Sequence, residues 1–177
     1  MNLPNKLTVL RILLIVPFVI LMEVTGISYS RYIAFIIFVV ASLTDLADGK
    51  IARKYNLVTN FGKFADPLAD KLLVCSALVC FASKNQLPGW FVIIILSREF
   101  IISGFRLVAA EQGKVIAAGW WGKWKTTFQM IMVLLLILDI ELLSIVTLIV
   151  SYIALALTII SLIDYLVKNK DVMKGDM

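Results

Sequence analysis

The chain has 177 residues, of which 61% are hydrophobic, and a mean hydropathy of +0.96, which excludes an ordinary soluble domain of about 45–50% apolar content. Its net charge of +5 comes without a soluble basic domain, so it fits loops facing anionic lipid headgroups and argues against a nucleic-acid partner. There is no histidine, and Cys75 and Cys80 sit inside one apolar run as small hydrophobes, so any metal chemistry falls to carboxylate oxygens and hard cations.

Apolar runs of near-spanning length predict six transmembrane helices, at 7–23, 31–53, 66–83, 89–109, 124–139 and 142–167. The expected fold is therefore an all-α integral membrane protein, a single domain over 1–177. The first helix has Lys6 and Arg11 ahead of its apolar core, but no small-residue cleavage site follows, so it reads as a span and not a signal peptide. "TGISYS" and "SKNQLPG" read as turn-rich loops.

The second and third helices carry the chemistry. "DLADGKIARKYNLVTNFGKFADPLAD" holds four aspartates. Asp45 and Asp48 are three apart on the second helix, and Asp66 and Asp70 four apart at the start of the third, so each pair shares a face. An antiparallel turn through the linker brings all four carboxylates between the two helices. Packed acids repel one another and are costly near lipid, and one or two divalent cations remove that repulsion. Arg53 offers a planar fork for phosphate oxygens, while Gly49, Ala52 and Gly62 leave room for close approach. Together these residues read as a two-metal site for a diphosphate ester at the membrane surface. Each has an ordinary alternative. Asp66 before Pro67 makes a good N-cap and first turn, Asp45 and Asp48 a solvated helix end, and Arg53 a cytoplasmic anchor. The combined spacing is what the ordinary readings leave unexplained.

In the fourth helix "SREFIISGFRL" places Arg98, Glu99 and Arg106 within an apolar segment. Glu99 and Arg106 are seven apart on one face and are expected to pair. Lys123 and Lys125 stand at the start of the fifth helix. Charged groups in or at the ends of spans are functional candidates, and a basic pocket suits a phosphorylated acceptor. Snorkelling lysines and one structural ion pair are the alternative. Trp120, Trp121 and Trp124 fit an aromatic belt. Basic residues gather in the loops on the N-terminal side. The expected location is the cytoplasmic membrane, with both termini and the aspartates facing the cytoplasm.

Asp45-x2-Asp48-Gly49-x2-Ala52-Arg53-x8-Gly62-x3-Asp66-x3-Asp70 resembles, at every fixed position, the signature of the CDP-alcohol phosphotransferase family. The resemblance implies a six-helix membrane enzyme, commonly a homodimer, with its active site on the cytoplasmic side. Such enzymes use divalent metals to transfer a phosphatidyl or similar group from a CDP-linked donor to an alcohol, releasing CMP. By resemblance Asp45, Asp48, Asp66 and Asp70 ligate two ions, Mg²⁺ or Mn²⁺, and Asp70 is also the general base. Asp48, Gly49, Ala52, Arg53, Thr59 and Gly62 are donor contacts, with Asn5 and Thr8 nearby.

"NLPNKLTVLR", "NLVTNFGKFADPLADKLL", "SREF" and "AAGWWGKWKT" extend the resemblance over nearly the whole chain, to the bacterial branch whose substrates are CDP-diacylglycerol and sn-glycerol 3-phosphate. Arg98, Arg106, Lys123 and Lys125 are then the expected contacts of the acceptor phosphate. Inositol phosphate, serine and phosphatidylglycerol are the alternative acceptors. From another class, a divalent-cation transporter is the competing reading, although the acids gather at one membrane face and do not continue across.

Overall fold

The structure is a computed structural model that describes residues 2–24, 29–54, 59–113, 116 and 119–170, with the side chains of 3, 46–54, 60, 63 and 64 outside the description. It is helical throughout its elements. Six α-helices and one 3₁₀ turn make up the described chain, in two compact units, Met1–Gln86 and Leu87–Met177. The six expected helices are all present. Two segments, Pro4–Glu23 and Glu141–Lys168, are long and apolar enough to cross a membrane by length and composition.

The N-terminal unit holds α1 (Leu3–Glu23), α2 (Ser30–Lys54) and α3 (Asn60–Ser83). The start of α1 is fixed by Asn2, whose side chain accepts from the Asn5 amide, with Pro4 in the first turn where no amide donor is needed. This helix packs on both α2 and α3. It buries Phe18 and Met22 toward its C-terminal end, and α2 answers with Ala34, Phe38 and Ala41 at helical spacing. The Phe18 and Phe38 rings meet at 5.7 Å between centroids. On α3 the buried stripe is small at Ala65, Ala69 and Ala77, which lets helix backbones approach closely.

The third helix corrects one expectation. It begins six residues before 66, because Thr59 is its N-cap and accepts from the Gly62 amide at 3.0 Å. Asp66 is therefore not a cap, and Pro67 lies inside the helix. Asp66 and Asp70 remain one turn apart on a common face.

The C-terminal unit holds α4 (Gly89–Glu111), α5 (Trp120–Leu138), the 3₁₀ turn Glu141–Leu143 and α6 (Ser144–Lys168). α6 packs on both α5 and α4. Edge-to-face contacts of Phe91 with Tyr152 and of Phe105 with Tyr165 tie α4 to α6. The buried face of α6 carries Ser151, Thr158 and Ser161, whose hydroxyls donate to carbonyls of their own helix at 2.7, 2.7 and 3.0 Å. That satisfies them without a partner helix and keeps the packing surface small. α5 ends where Asp139 turns into the left-handed region at φ 49°, its amide still bonded to the Leu135 carbonyl. Trp120 and Trp124 are exposed on α5 and meet edge to face at 5.9 Å between centroids.

Candidate functional site

In the N-terminal unit the site is built on a polar stripe of α1. Asn5, Thr8 and Arg11 are spaced by three residues, follow one side of the helix, and are all buried. Arg11 is only 1% exposed, and a guanidinium at that depth requires partners. Its Nη1 donates to Asp45 Oδ1 at 2.7 Å and its Nε to the Ala41 carbonyl at 3.2 Å, both on α2. One turn earlier Thr8 Oγ1 donates to Asp66 Oδ1 on α3 at 2.6 Å, a short, charge-assisted bond. The same hydroxyl lies 3.1 Å from the Pro4 carbonyl, but it has one proton, and the charged acceptor is the nearer. At the end of the stripe Asn5 Oδ1 accepts from Thr59 Oγ1 at 2.9 Å.

Three residues of one helix thus fix groups from both partners. Asp45 and Asp66 are brought close enough for their charges to repel. Gly62 sits at the crowded point of this arrangement. A Cβ there would lie 3.2 Å from Asn5 Oδ1, 3.3 Å from Thr59 Oγ1 and 3.6 Å from Asp66 Oδ2. Of the sequence-predicted residues, Asn5, Thr8, Asp45, Thr59, Gly62 and Asp66 are brought together along the α1 stripe in three hydrogen-bonded groups, Thr8 with Asp66, Arg11 with Asp45, and Asn5 with Thr59 and Gly62. Asp70 is exposed one turn beyond Asp66. Asp48, Gly49, Ala52 and Arg53 continue α2, but their side chains lie outside the described residues.

The donor set fits a hard divalent cation. Asp45 and Asp66 repel across two helices, and the bonds described at each engage Oδ1. That leaves the second carboxylate oxygen of each as a donor of the kind Mg²⁺ and Mn²⁺ take. Among the described residues no group of three acidic or thiol side chains is assembled for a metal, and the fourth expected ligand, Asp48, is outside that set.

In the C-terminal unit the expected basic residues divide. Lys125, 3% exposed, donates its ammonium to the Glu99 carboxylate across α4 and α5. Arg98 Nη1 donates to the same Glu99 oxygen at 3.2 Å. Arg106 does not pair with Glu99. It is exposed, and its guanidinium lies 5.9 Å from the centre of the Tyr165 ring on α6. Seven residues bring two side chains to one face, but Lys125 and Arg98 are the cations that reach the carboxylate. Lys123 is exposed on the first turn of α5, away from this cluster's buried face.

Sequence reasoning passed over Arg11, treating it as one more cytoplasmic cation. The available signal was Asn5, Thr8 and Arg11 at three-residue spacing in an otherwise apolar helix, a stripe too regular for a loop anchor. It also missed that Glu99 is shared by two cations.

Residues 1–160 match the model of the CDP-alcohol phosphatidyltransferase family, and the chain belongs to that family. Among its relatives is a Bacillus subtilis protein named CDP-diacylglycerol–glycerol-3-phosphate 3-phosphatidyltransferase, 45% identical, with 98% of this chain and 97% of the relative covered. A Haemophilus influenzae protein of the same name is 42% identical over 99% of this chain and 95% of its own. A Mycobacterium tuberculosis protein named probable phosphatidylglycerophosphate synthase is 38% identical, covering 94% and 81%.

Proposed function

We propose that this chain transfers the phosphatidyl group of CDP-diacylglycerol to sn-glycerol 3-phosphate, giving phosphatidylglycerophosphate and CMP. The observation that carries the reading is 45% identity over 98% of the chain to a relative named for that reaction. The family match runs through residues of both units, which supports one functional domain over 1–177. The Asn5–Thr8–Arg11 stripe, which fixes Asp45 and Asp66, supports a site built on the aspartates.

In this reading Asp45, Asp48, Asp66 and Asp70 hold two divalent cations, Mg²⁺ or Mn²⁺. When bound, these supply Lewis-acid stabilisation of the diphosphate and of the departing CMP. The protein's own residues do the rest. Asp70 takes the proton from the acceptor hydroxyl as that oxygen bonds to the phosphatidyl phosphorus and the bond to CMP breaks. Gly49, Ala52, Arg53, Thr59 and Gly62 bind the CDP end of the donor, with Asn5 beside it. Thr8 acts through Asp66, whose carboxylate it orients, and Arg11 acts on Asp45 in the same way. Arg98, Arg106, Lys123 and Lys125 take the acceptor phosphate, with Arg98 and Lys125 closest to one another through Glu99.

The chain is a six-span protein of the cytoplasmic membrane, a homodimer, with both termini inside. Large apolar side chains such as Leu13, Val16, Ile93, Ile145 and Ile163 stand exposed along α1, α4 and α6, which supports burial in lipid. A lipid donor requires a site open to the bilayer, and a soluble acceptor requires one open to the cytoplasm.

The test is CMP release by purified protein in detergent–lipid micelles with CDP-diacylglycerol and Mg²⁺. Glycerol 3-phosphate, inositol phosphate, serine and phosphatidylglycerol are offered separately. Release with glycerol 3-phosphate alone, abolished by EDTA and restored by Mg²⁺ or Mn²⁺, is the expected result. Release with another acceptor alone overturns the acceptor, activity persisting in excess chelator overturns the metals, and no release in any tube favours a cation transporter.

A further inference from the structure

We propose that Glu99 is a positioning residue for the acceptor pocket: its carboxylate gathers Arg98 and Lys125, from two helices, into one pair of cations that receives a phosphate. The inference rests on the proposed reading of Arg98 and Lys125 as contacts of the acceptor phosphate.

Glu99 is a partly buried carboxylate on a helix whose buried positions are Phe91, Val92, Ile95, Ile102 and Ala109. A carboxylate in such surroundings is unfavourable unless paired. One cation is enough to neutralise it, yet it takes two. Lys125 approaches from α5 and Arg98 from the neighbouring position of α4 itself. Side chains at adjacent helical positions diverge by about 100°, and the Arg98 guanidinium nonetheless reaches back to its neighbour's carboxylate.

Two cations meet at one carboxylate oxygen. Arg98 also keeps donor capacity. Its Nε is buried without a hydrogen-bond partner among the described residues. Its Nη2 rests 3.7 Å from where a Cβ on Gly122 would be, so the guanidinium lies against the first turn of α5.

Lys125 is 3% exposed, while Arg98 and Glu99 are 11% and 15% exposed at their side chains. Lys125 is the deepest of the three, so an arriving phosphate reaches Arg98 before Lys125, beside the carboxylate that links the two. A phosphate monoester supplies the charge and the several acceptor oxygens this arrangement lacks. Cations assembled beforehand lose less side-chain freedom on binding, which lowers KM for the acceptor without changing the chemical step.

The experiment uses the full chain in micelles, measuring CMP release with each substrate varied against saturation of the other. Glu99→Gln is expected to raise KM for glycerol 3-phosphate about tenfold, the size typical of losing a group that orients a ligand, with kcat and the donor KM within about twofold. Arg98→Met and Lys125→Met raise the same KM. Because Glu99 acts through Arg98 and Lys125 together, the triple variant Glu99→Gln/Arg98→Met/Lys125→Met is no worse than Arg98→Met/Lys125→Met.

A wild-type acceptor KM in Glu99→Gln, with Arg98→Met and Lys125→Met impaired, overturns the positioning role and leaves the pocket standing. A further loss from Glu99→Gln when both cations are already removed overturns it as well. A wild-type KM in Arg98→Met and Lys125→Met alike removes the pocket, and the proposal with it. Should Glu99→Gln fail to fold by size exclusion, Glu99→Asp keeps the charge but shortens the reach. An intermediate rise in acceptor KM is then expected, and an unchanged one overturns the role.

Discussion

Replacing Arg11 with methionine keeps most of the side-chain length and removes the guanidinium. The structure fixes what is lost: a 2.7 Å ion pair to Asp45 and a 3.2 Å bond to the Ala41 carbonyl. Removing one partner of a deeply buried pair costs about 3–5 kcal/mol, because the other charge stays behind unpaired. Asp45 is 32% exposed, so the abandoned carboxylate is partly rehydrated and the lower end applies, about 3 kcal/mol. For a chain of 177 residues that is a fall of roughly 6–12 °C in melting temperature. Arg11→Lys keeps the charge but cannot reach both acceptors with one ammonium group, so about 1 kcal/mol is lost and the melting point falls between the two. Thermal unfolding in detergent, followed by circular dichroism, gives the order Arg, Lys, Met. CMP release falls in the same order, since Asp45 loses its orientation. Arg11→Met melting within a degree of wild type, with undiminished CMP release, would refute the idea that α1 holds Asp45 in place.

Thr8→Val removes the hydroxyl that bonds Asp66 at 2.6 Å, worth about 1.5–3 kcal/mol for a charged acceptor, so kcat drops about tenfold or more, whereas Thr8→Ser stays near wild type. Equal kcat in the two variants would mean that Asp66 keeps its place unaided. Gly62→Ala puts a Cβ 3.2 Å from Asn5 Oδ1 and 3.3 Å from Thr59 Oγ1, disturbing the cap of α3. The expected loss is about 1 kcal/mol, read as a melting point a few degrees lower together with a higher donor KM, and an unchanged melting point would show that the cap tolerates the methyl. Asp70→Asn abolishes turnover while CDP-diacylglycerol still binds in a filtration or calorimetric assay, and near-normal turnover would take Asp70 out of the mechanism.

Helices were the most legible feature of this sequence, because long apolar runs bounded by Gly, Pro and Ser admit few other structures. Their starts were less so. The beginning of α3 was misplaced because Asp66–Pro67 carries a local start signal, and a proline is tolerated inside a helix when neighbouring groups compensate its missing donor. Thr59 competes with that signal as a cap bonded to the Gly62 amide, and it is held there by Asn5, 54 residues away, which no local pattern displays. The aspartate spacing was legible because helical periodicity alone places each pair on one face. What holds Asp45 and Asp66 was not, since Arg11 and Thr8 come from a third helix. Glu99 and Arg106 failed for the complementary reason. Periodicity says which side chains share a face, and packing decides which cation arrives first.

The pairing of Arg11 with Asp45 also bears on the order in which the chain is made. The two residues are 34 positions apart, so α1 is synthesised with a cation whose counter-charge does not yet exist. Under the membrane reading proposed above, that guanidinium is best served by water or headgroup phosphates until α2 follows, and the first helix then has reason to wait near the surface. Docking of α2 supplies the carboxylate and lets both helices settle together. The first two helices then mature as a hairpin, and a nascent chain released before Asp45 would carry a first helix with no settled depth.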